Sequence, residues 1–333
     1  MTGSRGCLCD SVSNTPDLRH ANAVCLGDHR RENLKLIKIL LTLLLVLGAA
    51  YALSPRFRLL TLALTGHSPV CPLRLALDSE AHLHRLKETN DRILTGSHLA
   101  AESDGLELWD TPKGQYWIPK GNRYVLPFNL AEMEAQIYGS GEHFVQPGDI
   151  VLDCGASDGD FSREALKAGA KLVVAIEISP ASVECLRRNL AGEIAGKRAL
   201  VYPKGVWNKN DILTLNVSDE NFAANSVVLH PEGTHAAVQV QLTTIDQIVT
   251  ELALPRVDFI KMDIEGAEVN ALHGARETLR RFRPRLAIAT EHKPDDEISI
   301  PNAVRAIRSD YHAECGYCAQ SGGHIRPEAM YFY

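Results

Sequence analysis

No excess of basic residues marks this chain of 333 residues: 35 Lys and Arg stand against 41 Asp and Glu, a formal net charge of −6. The electrostatic footprint of a nucleic-acid partner is therefore missing. No internal repeat is visible either. The eight cysteines do not form the evenly spaced pairs of a disulfide framework: Cys7 and Cys9 sit in a polar stretch, Cys154 and Cys185 in apolar segments, Cys315 and Cys318 near the end. The folded part accordingly reads as reduced. What the chain does have is apolar mass, 45% of its residues, enough for one sizeable core and a second small unit.

One uncharged run stands apart. Between Lys38 and Arg56 no charge interrupts the sequence, and counting from Leu34 gives about 20 residues, or roughly 30 Å of helix. Residues 34–55 read as a single membrane-spanning helix; they are apolar on every face, which disfavours a core helix. A secretion signal is the alternative, with RRENLKLIK as its basic region and Ala50-Tyr51-Ala52 as a cleavage site. Arg30, Arg31, Lys35 and Lys38 outnumber Arg56 and Arg58, which places the N-terminus in the cytoplasm. The chemistry below favours the opposite, a cytoplasmic catalytic domain on a single-pass anchor.

Residues 1–33 read as a disordered tail and 56–77 as a linker with Pro69 and Pro72, preceded by Pro55. Residues 78–145 form an extension: a helix over 78–96 with Leu83, Leu86, Ile93 and Leu94 on one face, a hairpin turning at Thr111-Pro112-Lys113-Gly114, and a helix over 129–138. From residue 146 apolar strands alternate with helices: IVLDC, LVVAIEI, ALVYP, VDFIKMD and RLAIATE, with an alternating pair near 212–217 and 237–242. That rhythm predicts an α/β, doubly wound Rossmann-like sheet. A closing pair, HAECGYC and AMYFY, joined at Gly322-Gly323, would add an antiparallel edge strand. Functional residues in such a sheet collect at the carboxyl ends of its strands.

The first such end reads DCGASDG. A glycine-rich turn between strand and helix lets the backbone approach a ligand, but this is not G-x-G-x-x-G. Asp153, with Asp158 and Asp160 alongside, would repel a pyrophosphate. A phosphate-free cofactor carrying an amine and a sulfonium fits better, and S-adenosylmethionine is one. Glu177 closes the next strand 22 residues after Gly155, where an acid can take both ribose hydroxyls.

The third end is FIKMDIEGAE, residues 259–268, which supplies Lys261, Asp263, Glu265 and Glu268 within eight positions. With VLDCGASDGDFS and AIEISP, it resembles the FkbM family of S-adenosylmethionine-dependent methyltransferases over about residues 130–333. The resemblance implies a class I methyltransferase fold and methyl transfer to a hydroxyl oxygen of a saccharide or another natural product; the membrane anchor adds the expectation of a glycolipid acceptor. It implies that Asp153, Gly155, Ala156, Gly159, Glu177 and Asp263 line the cofactor, and that Lys261, Asp263, Glu265 and Glu268 stand beside the methyl or shape the substrate mouth. Ser157 departs from the family, which more often has Asn there.

Transfer from an activated sulfonium needs alignment and removal of a proton. The candidate catalytic groups are His292, Asp263 and Glu265, with His292 first because an imidazole suits neutral pH. Lys261, Glu265 and Glu291 are the substrate-side candidates. No metal is expected at the site. Glu268, in a first helical turn, also fits a plain helix-dipole role.

Other groupings are weaker. Cys315 and Cys318 have redox spacing but the wrong context, and would need His312 and His324 for zinc. His82 and His84 lie on a charged helix and read as solvated; Trp109, Tyr116 and Trp117 read as core more than as a sugar platform. The expected partners are a small-molecule, saccharide or lipid-linked acceptor and a membrane. A silent membrane-anchored binding module and a nicotinamide-dependent oxidoreductase are the rivals.

Overall fold

The computed structural model describes residues 18–218, 221–230 and 234–333. The chain forms two compact units that divide between Arg58 and Leu59. In the first, helix α1 runs Leu18–Leu53. Its stretch Asn33–Leu53, 21 residues of mean hydropathy 2.4 with 0% of the span buried, is long and apolar enough to cross a membrane, and fits a secretion signal equally. The helix begins well before Leu34, which corrects the tail expected over 1–33: once nucleated, a helix extends through compatible residues at little cost. The remainder of that tail, 1–17, lies outside the described residues.

The expected linker is ordered as well. Helix α2 covers Pro55–Leu64, and its Leu59 and Leu62 are buried with Cys71, Cys318 and Ile325. Helix α3, Leu73–Thr95, follows Pro72 and buries Leu86 and Ile93, while Leu83 of the expected apolar face is exposed. His82 is buried, not solvated: it stacks on Tyr317 at 4.0 Å and its Nε2 lies 2.9 Å from Glu328 Oε2. Strands β1 (His98–Ser103), β2 (Leu106–Thr111) and β3 (Gly114–Pro119) form an antiparallel meander, with Thr111 facing Gly114 across the expected turn. Helix α4 follows at Val125–Ala135.

The alternating part then runs β4 (Ile150–Cys154), α5 (Asp160–Lys167), β5 (Leu172–Ile176), α6 (Pro180–Asn189), α7 (Ala191–Ala195), β6 (Ala199–Tyr202), β7 (Gly205–Val206), β8 (Asp211–Ser218), β9 (Thr234–Thr243), α8 (Ile245–Glu251), β10 (Phe259–Met262), α9 (Glu268–His273), α10 (Arg276–Phe282), β11 (Arg285–Ala289) and α11 (Asp296–Ile307). It closes with β12 (Ala313–Cys315), β13 (Cys318–Ser321), β14 (His324–Pro327) and β15 (Ala329–Phe332). Seven strands make the central sheet in the order β12-β15-β11-β10-β4-β5-β6. The five from β11 to β6 are parallel, and β15 pairs antiparallel with β11 and β12. A smaller sheet, β7-β9-β8, contains the alternating pair expected near 212–242.

Side-chain alternation builds the layers. Ile150, Leu152 and Cys154 of β4 join one apolar cluster with Ile248, Leu272 and Ile300, while Val151 joins another with Phe161 and Leu186. The central strands are thus covered on both faces, as a parallel sheet requires. The closing pair differs from expectation. The Gly322-Gly323 turn joins the separate ribbon β13–β14, and β15 inserts between β11 and β12.

Cys71 and Cys318 form a disulfide between residues 247 positions apart. This overturns the reduced reading, because sequence spacing could not show that two distant cysteines meet. Cys318 is thereby unavailable to Cys315, which stays a free thiol, so neither a redox pair nor a zinc site forms there. Among the described residues Cys315, His312 and His324 do not gather into a ligand set.

Candidate functional site

The tips of β5, β4, β10 and β11 stand in that order along the sheet, and the predicted residues follow them. Gly155, after β4, has φ +77°, and a Cβ there would lie 1.8 Å from the Asp263 carbonyl oxygen. Only glycine permits β4 and β10 to release their loops so close together. Its N–H and that of Ala156 both donate to the Ile176 carbonyl at 3.0 Å, so these amides tie the turn to β5.

Glu177, 8% exposed, is held by backbone. Its Oε1 accepts from Ile178 N (2.8 Å) and Ser179 N (2.7 Å), and its Oε2 from Ser157 N (2.9 Å). Burial pushes its carboxyl up, against the pull of these N–H groups. Ser157 itself adopts φ +50°, a conformation that Asn tolerates better, and its Oγ has no partner.

A cavity of about 630 Å³ opens over these tips. Gly155, Ser157, Asp160 and Glu177 line it on one side, Glu265, Glu291 and His292 on the other, with Tyr138, Lys261 and Asp263 between. Of the residues expected around a cofactor, Gly155, Glu177 and Asp263 share this cavity; Asp153, Ala156 and Gly159 do not line it. Asp153 is wholly buried behind it, accepting from Ser162 Oγ (2.6 Å) with Lys261 Nζ 3.5 Å away. The register explains this, since Asp153 stands opposite Lys261 in the sheet.

Lys261, expected to face substrate, lines the cavity but is only 3% exposed, its ammonium held by bonds within the protein. Its Nζ donates to the Gly155 carbonyl at 2.7 Å and lies 3.8 Å from Asp263 Oδ2. Burial would favour the neutral amine, but Asp153, Asp263 and Asp160 hold it protonated. Burial raises Asp160 to about 6, with Lys261 opposing. Asp263 goes the other way: despite burial, Lys261 and His292 keep it ionised, and Tyr138 Oη donates to its Oδ2 at 2.6 Å.

His292 is gripped from two sides. Nε2 lies 3.3 Å from Asp263 Oδ1 and 3.4 Å from Glu265 Oε1; Nδ1 lies 3.0 Å from Glu268 Oε1. Burial opposes its charge, yet the bonds to Asp263, Glu265 and Glu268 lift it well above the ordinary histidine range. These side chains, and Glu268, His292 and Asp296 on the buried side, are close enough to hold a cation. The imidazolium supplies that positive charge itself.

Its neighbour differs. Glu291 lines the cavity; although the residue is exposed, the protein crowded around it first raises its carboxyl to about 7, His292 opposing and Asp263, Glu328 and Glu265 adding to the rise. Sequence reasoning missed Tyr138 and Glu132, both of which line the cavity from the α4 region. Burial, then Glu291 and Asp263, raise Glu132 strongly. No motif marks them; only the packing of the extension over the strand tips brings them in. Tyr116 is core, and neither Trp109 nor Trp117 reaches the cavity.

A parallel sheet with an antiparallel strand inserted next to one edge is the class I methyltransferase fold, and here an acidic cavity lies over its central strand tips. Residues 153–318 match the family model of the Methyltransferase FkbM domain, and the chain belongs to that family. A ribosomal protein L11 methyltransferase of Bacillus subtilis is 32% identical over 101 residues, 28% of this chain and 32% of that one, so the chain spans about a third of that curated relative. Among solved structures, a methyltransferase FkbM from Methylobacillus flagellatus is similar at 20% identity, 77% of this chain, 60% of that chain and TM-score 0.42. Aeropyrum pernix fibrillarin, solved with natively bound S-adenosyl-L-methionine, is similar at 11% identity, 71% and 96% coverage and TM-score 0.37.

Proposed function

We propose that this protein transfers the methyl group of S-adenosylmethionine to a hydroxyl oxygen of a saccharide or lipid-linked acceptor. The observation that carries the reading is one cavity shared by Glu177 and by the group Asp263, Glu265, Glu291 and His292. Glu177 would take the ribose hydroxyls with the lone pairs its backbone bonds leave. The acidic wall would favour the sulfonium. In the transfer, the acceptor oxygen bonds to the methyl carbon, the C–S pair returns to sulfur, and the hydroxyl proton leaves to a carboxylate.

Glu291 suits that last task better than His292, because a group already protonated cannot accept a proton. Asn90, Asn129, Asn221 and Asn225, with Tyr124 and Phe128, line the rest of the cavity; carboxamides and aromatic faces together suit a polyhydroxylated ring. The acidic tips argue against a nicotinamide dinucleotide, whose pyrophosphate they would repel.

Calorimetric titration of the detergent-solubilised chain with S-adenosylmethionine and its demethylated product tests the cofactor reading. Micromolar binding by the wild type and its loss in Glu177→Ala is expected. Unchanged binding in the variant removes the ribose assignment, and binding without turnover on any acceptor favours the silent binding module.

The disulfide bears on placement. Cofactor supply favours a cytoplasmic catalytic domain, but Cys71–Cys318 requires an oxidising compartment in an ordinary cell, and the excess of Arg30, Arg31, Lys35 and Lys38 over Arg56 and Arg58 favours the same side. A retained anchor and a cleaved signal both deliver the following domain there. We therefore read residues 59–333 as facing an oxidising, non-cytoplasmic space, with methyl donor brought to it.

A further inference from the structure

Glu268 is wholly buried at the start of α9, yet it does more than complement a six-residue helix. Its Oε1 accepts from Ile264 N (3.0 Å) and Gly266 N (3.4 Å), closing the loop that carries Glu265, and from His292 Nδ1 (3.0 Å) beyond β11. A dipole role accounts for none of the contact with His292. Lys293 Nζ adds a second tie, donating to the Gly266 carbonyl at 2.8 Å.

We propose that Glu268 is a positioning residue, which fixes the His292 ring through Nδ1 so that Nε2 is offered to Asp263 and Glu265 at the acceptor side of the cavity. This deepens the methyltransferase reading and rests on it. Carboxylates only accept hydrogen bonds, so a ring between Glu268 behind and Asp263 and Glu265 in front must carry a proton on each nitrogen. His292 then serves as a fixed cation. It holds Asp263 and Glu265 in place while leaving Glu291 free to take the acceptor's proton, and the ring cannot turn over while Nδ1 is engaged.

The groups facing His292 are Asp263 just after β10, Glu265 from the following loop, Glu268 from α9, Glu291 from the segment after β11 and Asp296 from the first turn of α11, with Lys293 bonded to Asp296. Among them only Glu268 touches Nδ1.

Glu268→Gln and Glu268→Asp in the full detergent-solubilised chain test the proposal through three readings: affinity for S-adenosylhomocysteine, kcat against KM, and the ¹⁵N imidazole signals of His292, assigned by comparison with His292→Gln. In Glu268→Gln we expect affinity within about twofold of wild type, kcat lower by about 100-fold, and a His292 that loses a proton between about pH 6 and 8, where the wild-type ring stays doubly protonated. Glu268→Asp should recover part of both effects. An unchanged His292 titration in Glu268→Gln overturns the proposal, as does a loss of kcat that only tracks lost melting temperature and cofactor affinity. Failure of the wild type to bind the cofactor product would sink the methyltransferase reading instead, and the ¹⁵N spectra would still judge Glu268.

Discussion

Glu291 and His292 are consecutive residues with opposite fates. Three carboxylates surround the imidazole and keep it charged, whereas burial, helped by Asp263, Glu328 and Glu265 and opposed by His292, raises the carboxyl beside it to about 7. A raised carboxyl is neutral below that value and becomes a base above it, so kcat should increase as pH passes through about 7. Glu291→Gln should lower kcat by about 100-fold and flatten that rise, with cofactor affinity unchanged. Rate measurements from pH 5 to 9 check it; a variant that keeps the wild-type slope removes Glu291 from the role. Sequence reasoning ranked His292 first because it used an unperturbed imidazole, and nothing local revealed that Glu268 would lie behind the ring.

Among the elements, the parallel strands were legible because each is a short apolar run closed by turn residues. The same grammar placed Asp153 and Glu177 at the ends of neighbouring strands, whereas the register of β4 with β10 set Asp153 opposite Lys261. It could not choose partners for the last strands: β12 and β15 do pair, but β11 captures the other edge of β15, leaving the Gly322-Gly323 turn to a separate ribbon. The disulfide was illegible for the same reason, since its halves are joined only by the fold. It ties the segment before α3 to β13, over a patch containing Leu59, Leu62 and Ile325. Closing so long a loop is worth roughly 2 to 5 kcal/mol. Cys71→Ser should therefore lower the melting temperature by roughly 5 to 15 °C. Reductant should lower it in the wild type and leave the variant unchanged; a wild type indifferent to reductant would mean that the bond contributes nothing.

For the whole molecule the proposed reading puts residues 59–333 in an oxidising space behind a membrane. In sealed vesicles from expressing cells, added protease should spare residues 59–333 until detergent is present, detected with an antibody to the C-terminal segment. Digestion in intact vesicles would restore the cytoplasmic placement. The sequence by itself determined the apolar span, the alternating α/β rhythm and the acidic strand tips, because each is written in neighbouring residues with a period of its own. The tertiary structure decided which tips face the cavity, that Asp153 is buried behind it against Lys261, that Glu268 grips His292, and that Cys71 meets Cys318. Those outcomes depend on charges and side chains brought together from distant parts of the chain, and burial sets their protonation only after the core has closed.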